Sequence, residues 1–127
     1  MIAVDTDVVV RILTGDEPAQ TQRAMVLFSQ SQVLIAKTVL LEAEWVLRYS
    51  YVQSPAVILS AFRKLIGLPQ VTVEDDIAVA AALTGYESGM DIAGALHLAT
   101  GREVEAFATF DARLKKRAGE QGKVRLL

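Results

Sequence analysis

The chain has 127 residues, of which 52% are hydrophobic, three are proline and none is cysteine, and its net charge is −2. That is enough apolar material for one compact domain over residues 1–127, and it excludes a disordered chain. The missing cysteines exclude a disulfide scaffold and any thiolate metal site, so a bound metal must rely on carboxylates and the single histidine, His97. Apolar runs such as residues 77–83 and 39–41 fall far short of the ~20 residues that span a bilayer. No basic-plus-apolar leader precedes Met1-Ile2-Ala3-Val4. The expectation is a cytoplasmic protein with no membrane partner.

In chain order, β-like runs at residues 2–4, 33–36, 71–73, 106–109 and 124–126 alternate with helical spacing at 7–13, 18–30, 39–51, 55–66, 75–86, 92–100 and 112–118. Strands separated by helices predict parallel pairing, and thus a three-layer α/β/α sandwich around one mostly parallel sheet of about five strands. Ser54 before Pro55 marks a capped helix start, and Thr38 is placed to cap the helix after the second strand. Gly67, Gly89, Gly101 and Gly119 fall where helices should stop. Charge is uneven: residues 102–127 hold seven basic and four acidic side chains, a local +3, leaving six basic and eleven acidic in the remainder. A basic tail suits a polyanion, while acids elsewhere suit divalent cations; the alternative reading of the run Arg113 to Arg117 is a solvated last helix.

In an open parallel sheet, ligands collect at the carboxyl ends of the strands. Asp5 closes the first strand, Asp111 follows the fourth by two residues, and Asp91 precedes the helix at 92–100. Glu42 lies about one turn into the third helix. If Leu41, Trp45, Val46 and Tyr49 form that helix's core stripe, Glu42 turns toward the interior or the cleft edge and Glu44 toward solvent. Singly, each aspartate also reads as an ordinary N-cap. Four carboxylates converging on one edge repel each other unless a cation neutralises them. Oxygen ligands suit Mg²⁺ or Mn²⁺, and such ions favour phosphodiester hydrolysis by activating a water and stabilising the leaving oxygen.

At these residues the chain resembles the PIN-domain family, and more narrowly its VapC-type toxins. Ala3-Val4-Asp5-Thr6-Asp7-Val8-Val9-Val10-Arg11 is similar to the family's apolar–Asp–Thr–Asn–apolar opening, with Asp7 in the Asn position. Leu40-Leu41-Glu42-Ala43-Glu44-Trp45-Val46-Leu47 resembles the helix with its glutamate. Asp91-Ile92-Ala93-Gly94-Ala95-Leu96-His97-Leu98-Ala99 resembles Asp–Phe–Ala–Asp–Ala–Leu–His–Leu–Ala, and Thr109-Phe110-Asp111 its late Thr–Phe–Asp. The resemblance implies an RNA-cleaving toxin that uses Mg²⁺ or Mn²⁺, forms a homodimer and is held inactive by a VapB-type antitoxin. Asp5, Glu42 and Asp111 take the places of active-site acids, with Thr6 or Thr109 orienting them. Where the family keeps its third main acid this chain has Gly94, and Asp91, one turn earlier, stands beside the gap as the compensating metal ligand.

Of the other candidates, His97 sits between Leu96 and Leu98 and reads as structural, and Trp45 with Tyr49 reads as core or dimer packing. Asp75-Asp76 reads as a helix start. Tyr86 and Arg11 are candidate RNA contacts. Two rival functions remain: a haloacid-dehalogenase-type phosphatase, in which Val4-Asp5-Thr6-Asp7 would supply the nucleophile, and a PIN-like binding module whose catalysis Gly94 has weakened.

Overall fold

Short strands alternate with helices in the computed structural model, which describes residues 1–119 and 123–127. Glu120, counted in the charge balance above, lies outside the described residues. By internal contacts the chain divides into two compact units, residues 1–74 and 75–127.

The first unit runs β1 (Ile2–Ala3), α1 (Thr6–Thr14), α2 (Pro18–Gln30), β2 (Val33–Ile35), α3 (Lys37–Tyr49), α4 (Pro55–Ile66) and β3 (Val71–Val73). Its strands form a parallel sheet in the order β1-β2-β3, with Ile2 opposite Val33 and Val33 opposite Val71. Pairing runs on past β1, because the Val4 N–H donates to the Leu34 carbonyl at 3.2 Å. Val9, Val10, Val33, Ile35, Leu47, Ile58 and Phe62 are almost wholly buried. These aliphatic and aromatic side chains form the unit's most deeply buried core.

Helix boundaries follow local chemistry. Ser54 caps α4 by accepting from the Val57 N–H, with Pro55 in the first turn. Gly15 ends α1 at φ 68°, a left-handed conformation that costs a residue without a Cβ little. One expected cap differs. Helix α3 starts at Lys37, before Thr38, with Ala36 as its N-cap and no side-chain cap bond.

The second unit runs α5 (Asp76–Glu87), α6 (Ile92–Thr100), β4 (Phe107–Thr109), α7 (Ala112–Ala118) and β5 (Val124–Leu126). Helices α5 and α6 pack closely through small side chains, with Ala78, Ala82, Ala95 and Ala99 all buried. A Cβ built on Gly85 would lie 2.8 Å from the Met90 sulfur, so glycine there permits the close approach of the chain that leaves α5. Strands β4 and β5 pair in parallel, Phe107 opposite Val124.

All five expected strands form and every pairing is parallel, but among the described residues they are hydrogen-bonded as sheets of three and two rather than as one sheet of about five. The physical reason is that an apolar run marks a segment as extended without specifying which neighbour its backbone bonds. With strands of two or three residues, side-chain alternation adds little to that choice. No helix among the described residues is long and apolar enough to cross a membrane.

Candidate active site

Each of the three aspartates is an N-cap, and each keeps one carboxylate oxygen in reserve. Asp5 Oδ1 accepts from the Val8 N–H at 3.4 Å at the start of α1. Asp91 Oδ2 accepts from the Gly94 N–H at 3.1 Å at the start of α6. Asp111 Oδ1 accepts from the Arg113 and Leu114 N–H groups at 2.9 and 3.1 Å at the start of α7, while Thr109 Oγ1 accepts from the Asp111 N–H at 3.0 Å. The second oxygen of each has no partner among the described residues, and all three side chains are exposed. The cap role and an available oxygen therefore coexist, since capping uses one lone pair of a carboxylate that has several.

Within the first unit, Asp5 and the start of α3 follow the carboxyl ends of two neighbouring strands. Strands β1 and β2 are parallel neighbours, Asp5 follows the end of one, and α3 leaves the end of the other with Glu42 in its second turn. Helices α1 and α3 pack against each other. Within the second unit, Asp91 and Asp111 cap helices whose first turns touch. A Cβ built on Gly94 would lie 3.1 Å from Leu114 Cδ1 and 3.9 Å from Asp91 Oδ2. Each unit thus supplies two of the four acids. Within either unit, no group of three or more His, Cys, Asp or Glu side chains among the described residues is gathered closely enough to hold a metal ion.

The facing of α3 corrects the sequence reading. Its buried residues are Leu40, Ala43, Glu44 and Leu47, whereas Glu42 is exposed, Trp45 is 59% exposed and Tyr49 60%. Glu42 therefore points outward, and Glu44, expected in solvent, is fully buried. The positions 40, 43, 44 and 47 share one helical face, and small Ala43 allows close packing there. Glu44 is tolerated because Arg48, one turn on, forks across its carboxylate, with Nε to Oε2 at 2.7 Å and Nη2 to Oε1 at 3.3 Å. Hydrogen bonding to Glu44 raises the Arg48 pKa further above its ordinary value, outweighing the opposing effect of burial. The Glu-to-Arg spacing of four residues was the available signal for this pair.

Several smaller expectations also change. Tyr86 is 6% exposed, too buried for an RNA contact. Arg11 is engaged within its own unit, donating to Gln20 Oε1 at 2.8 Å and to the Tyr51 hydroxyl at 3.4 Å. Tyr51 in turn donates to Asp16 at 2.8 Å. That hydroxyl, then the Glu17 backbone N–H and the Arg11 charge, hold the Asp16 carboxyl below the ordinary aspartate range. His97 faces solvent rather than core. Asp75 caps α5 as expected and also pairs with Arg102 at 3.2 Å. A cavity of about 590 Å³ in the second unit, lined by Ala95, Phe107, Arg117 and others, contains none of the four acids.

Residues 2–120 match the family model of the PIN domain. The chain belongs to the PIN-domain family. PIN domains are in general nucleases, so the chemistry expected of this one is hydrolysis of nucleic-acid phosphodiesters, and the phosphatase reading of residues 4–7 falls away. The match extends across both units of this PIN domain. Curated proteins and solved structures show no significant match to it.

Proposed function

We propose that this PIN domain is a metal-dependent endoribonuclease, the toxin of a VapBC-type toxin–antitoxin pair, with Asp5, Glu42, Asp91 and Asp111 as its acids. The observation that carries the reading is the shared geometry of the three aspartates. Each is pinned by a cap bond and leaves its second oxygen free, and a free carboxylate oxygen is the donor type a hard divalent cation takes. When bound, Mg²⁺ or Mn²⁺ supplies positive charge to phosphate oxygens and acidifies a water.

The chain's own residues contribute orientation. The cap bonds fix the aspartate rotamers before any ligand arrives, so little side-chain freedom is lost on binding. Glu42, exposed and without a partner among the described residues, completes the set. Asp91 serves in place of the acid that Gly94 lacks. Arg113 and Lys116, exposed on α7, together with exposed Lys123 and Arg125, are the basic groups that would hold phosphates. The protein acts in the cytoplasm as a homodimer, and a VapB-type antitoxin blocks the acidic site.

Purified protein freed of any partner should cut RNA with Mg²⁺ or Mn²⁺ and stop when EDTA is added. RNA degraded equally in EDTA would refute the metal dependence. Expression should arrest growth, and co-expression of the neighbouring small reading frame should relieve it; growth unaffected by an active enzyme would refute the toxin role.

A further inference from the structure

Thr38, Glu42, Trp45 and Tyr49 fall at intervals of four, three and four residues on α3, and all four are exposed. At 1.5 Å per residue, Trp45 and Tyr49 stand about 4.5 and 10.5 Å along the helix from Glu42, within an arc of about 60°. The two rings meet edge to face at 5.3 Å. Arg48 lies 4.4 Å from the Tyr49 ring centre and donates to its hydroxyl at 3.0 Å. Because Arg48 is itself anchored on buried Glu44, the Tyr49 ring is held on one side by a fixed guanidinium, and Trp45 and Tyr49 remain 59% and 60% exposed.

We propose that Trp45 and Tyr49 form a base-stacking platform for single-stranded RNA beside Glu42; the proposal rests on the nuclease reading above. Unpaired bases are flat, apolar on both faces and sequence-tolerant partners for exposed rings. A strand whose phosphates approach the acids through a cation would bring its neighbouring bases along the stripe that Glu42 begins. The alternative occupant, a second copy of this chain, is disfavoured by the same stripe. Closing a dimer over Trp45 would carry the Glu42 carboxylate into a dry interface, and the nearest guanidinium on the helix is committed to Glu44.

Trp45 is the sole tryptophan, so its fluorescence reports directly on the platform. The test uses Asp111→Asn protein in Mg²⁺, so that binding is read without cleavage, titrated with a single-stranded oligoadenylate and with a duplex RNA of equal length. Saturable quenching by the single strand alone is expected, and Tyr49→Ala should weaken the affinity about 5- to 100-fold while Tyr49→Phe restores it. Binding seen by anisotropy without a change in Trp45 emission would overturn the platform. Loss of a dimer on sedimentation of Trp45→Ala, with RNA affinity unchanged, would assign the face to a second copy. The two readings separate cleanly: quenching without RNA cleavage by the wild type overturns the nuclease, whereas cleavage with unchanged KM in Tyr49→Ala overturns the platform.

Discussion

Arg48→Met should destabilise the protein far more than Glu44→Gln, although both break the same ion pair. Glu44 is fully buried, so losing the guanidinium takes two charge-assisted hydrogen bonds from a carboxylate that water cannot reach. Removing one partner of a buried pair costs about 3–5 kcal/mol. The Arg48 side chain is 32% exposed, so solvent screening reduces this to ~2–3 kcal/mol. In Glu44→Gln the remaining arginine reaches water and can still donate to the amide oxygen, which limits the cost to ~1 kcal/mol. Urea unfolding followed by Trp45 fluorescence reads both on the helix that holds them. Equal costs for the two variants would refute the account of how α3 buries a glutamate.

Gly94→Asp restores the family's acid at the cost of pressing on Leu114, whose Cδ1 lies 3.1 Å from the new Cβ. Stability should fall by ~1 kcal/mol or less, and cleavage at limiting Mn²⁺ should rise; unchanged metal dependence would show that Asp91 already fills the role. Asp111→Ala should cost ~1 kcal/mol of stability through the lost cap, while Asp111→Asn keeps the fold and loses activity, as thermal melts and RNA cleavage will show. Tyr51→Phe removes the main hydrogen bond that holds Asp16 low, so the Asp16 carboxyl should titrate at higher pH by NMR; no upward movement would contradict that assignment.

Much of the fold was legible because punctuation residues set its boundaries. Pro18, Ser54-Pro55, Asp91 and Asp111 fix helix starts through caps and fixed φ, and α2, α4, α6 and α7 fall where those residues place them. Strand pairing was less legible, since β1 is two residues long and alternation over so short a run does not choose a neighbour. The aspartates were readable both as caps and as ligands, and the structure shows that the cap half of that reading holds. Helix α3 misled because Trp45 and Tyr49 are apolar enough to be taken for core. The burial of Glu44 depends on an arginine four residues on, a pairwise relation that hydrophobic periodicity does not register.

The most direct test of the central claim compares RNA cleavage by wild type, Asp5→Asn and Asp111→Asn at saturating Mg²⁺. Asparagine caps a helix as well as aspartate, so these changes remove charge while leaving α1 and α7 intact. A loss of ~3 kcal/mol of transition-state stabilisation corresponds to a rate about 150-fold lower in each variant, with unchanged melting temperatures. Cleavage at the wild-type rate by either folded variant would contradict the account.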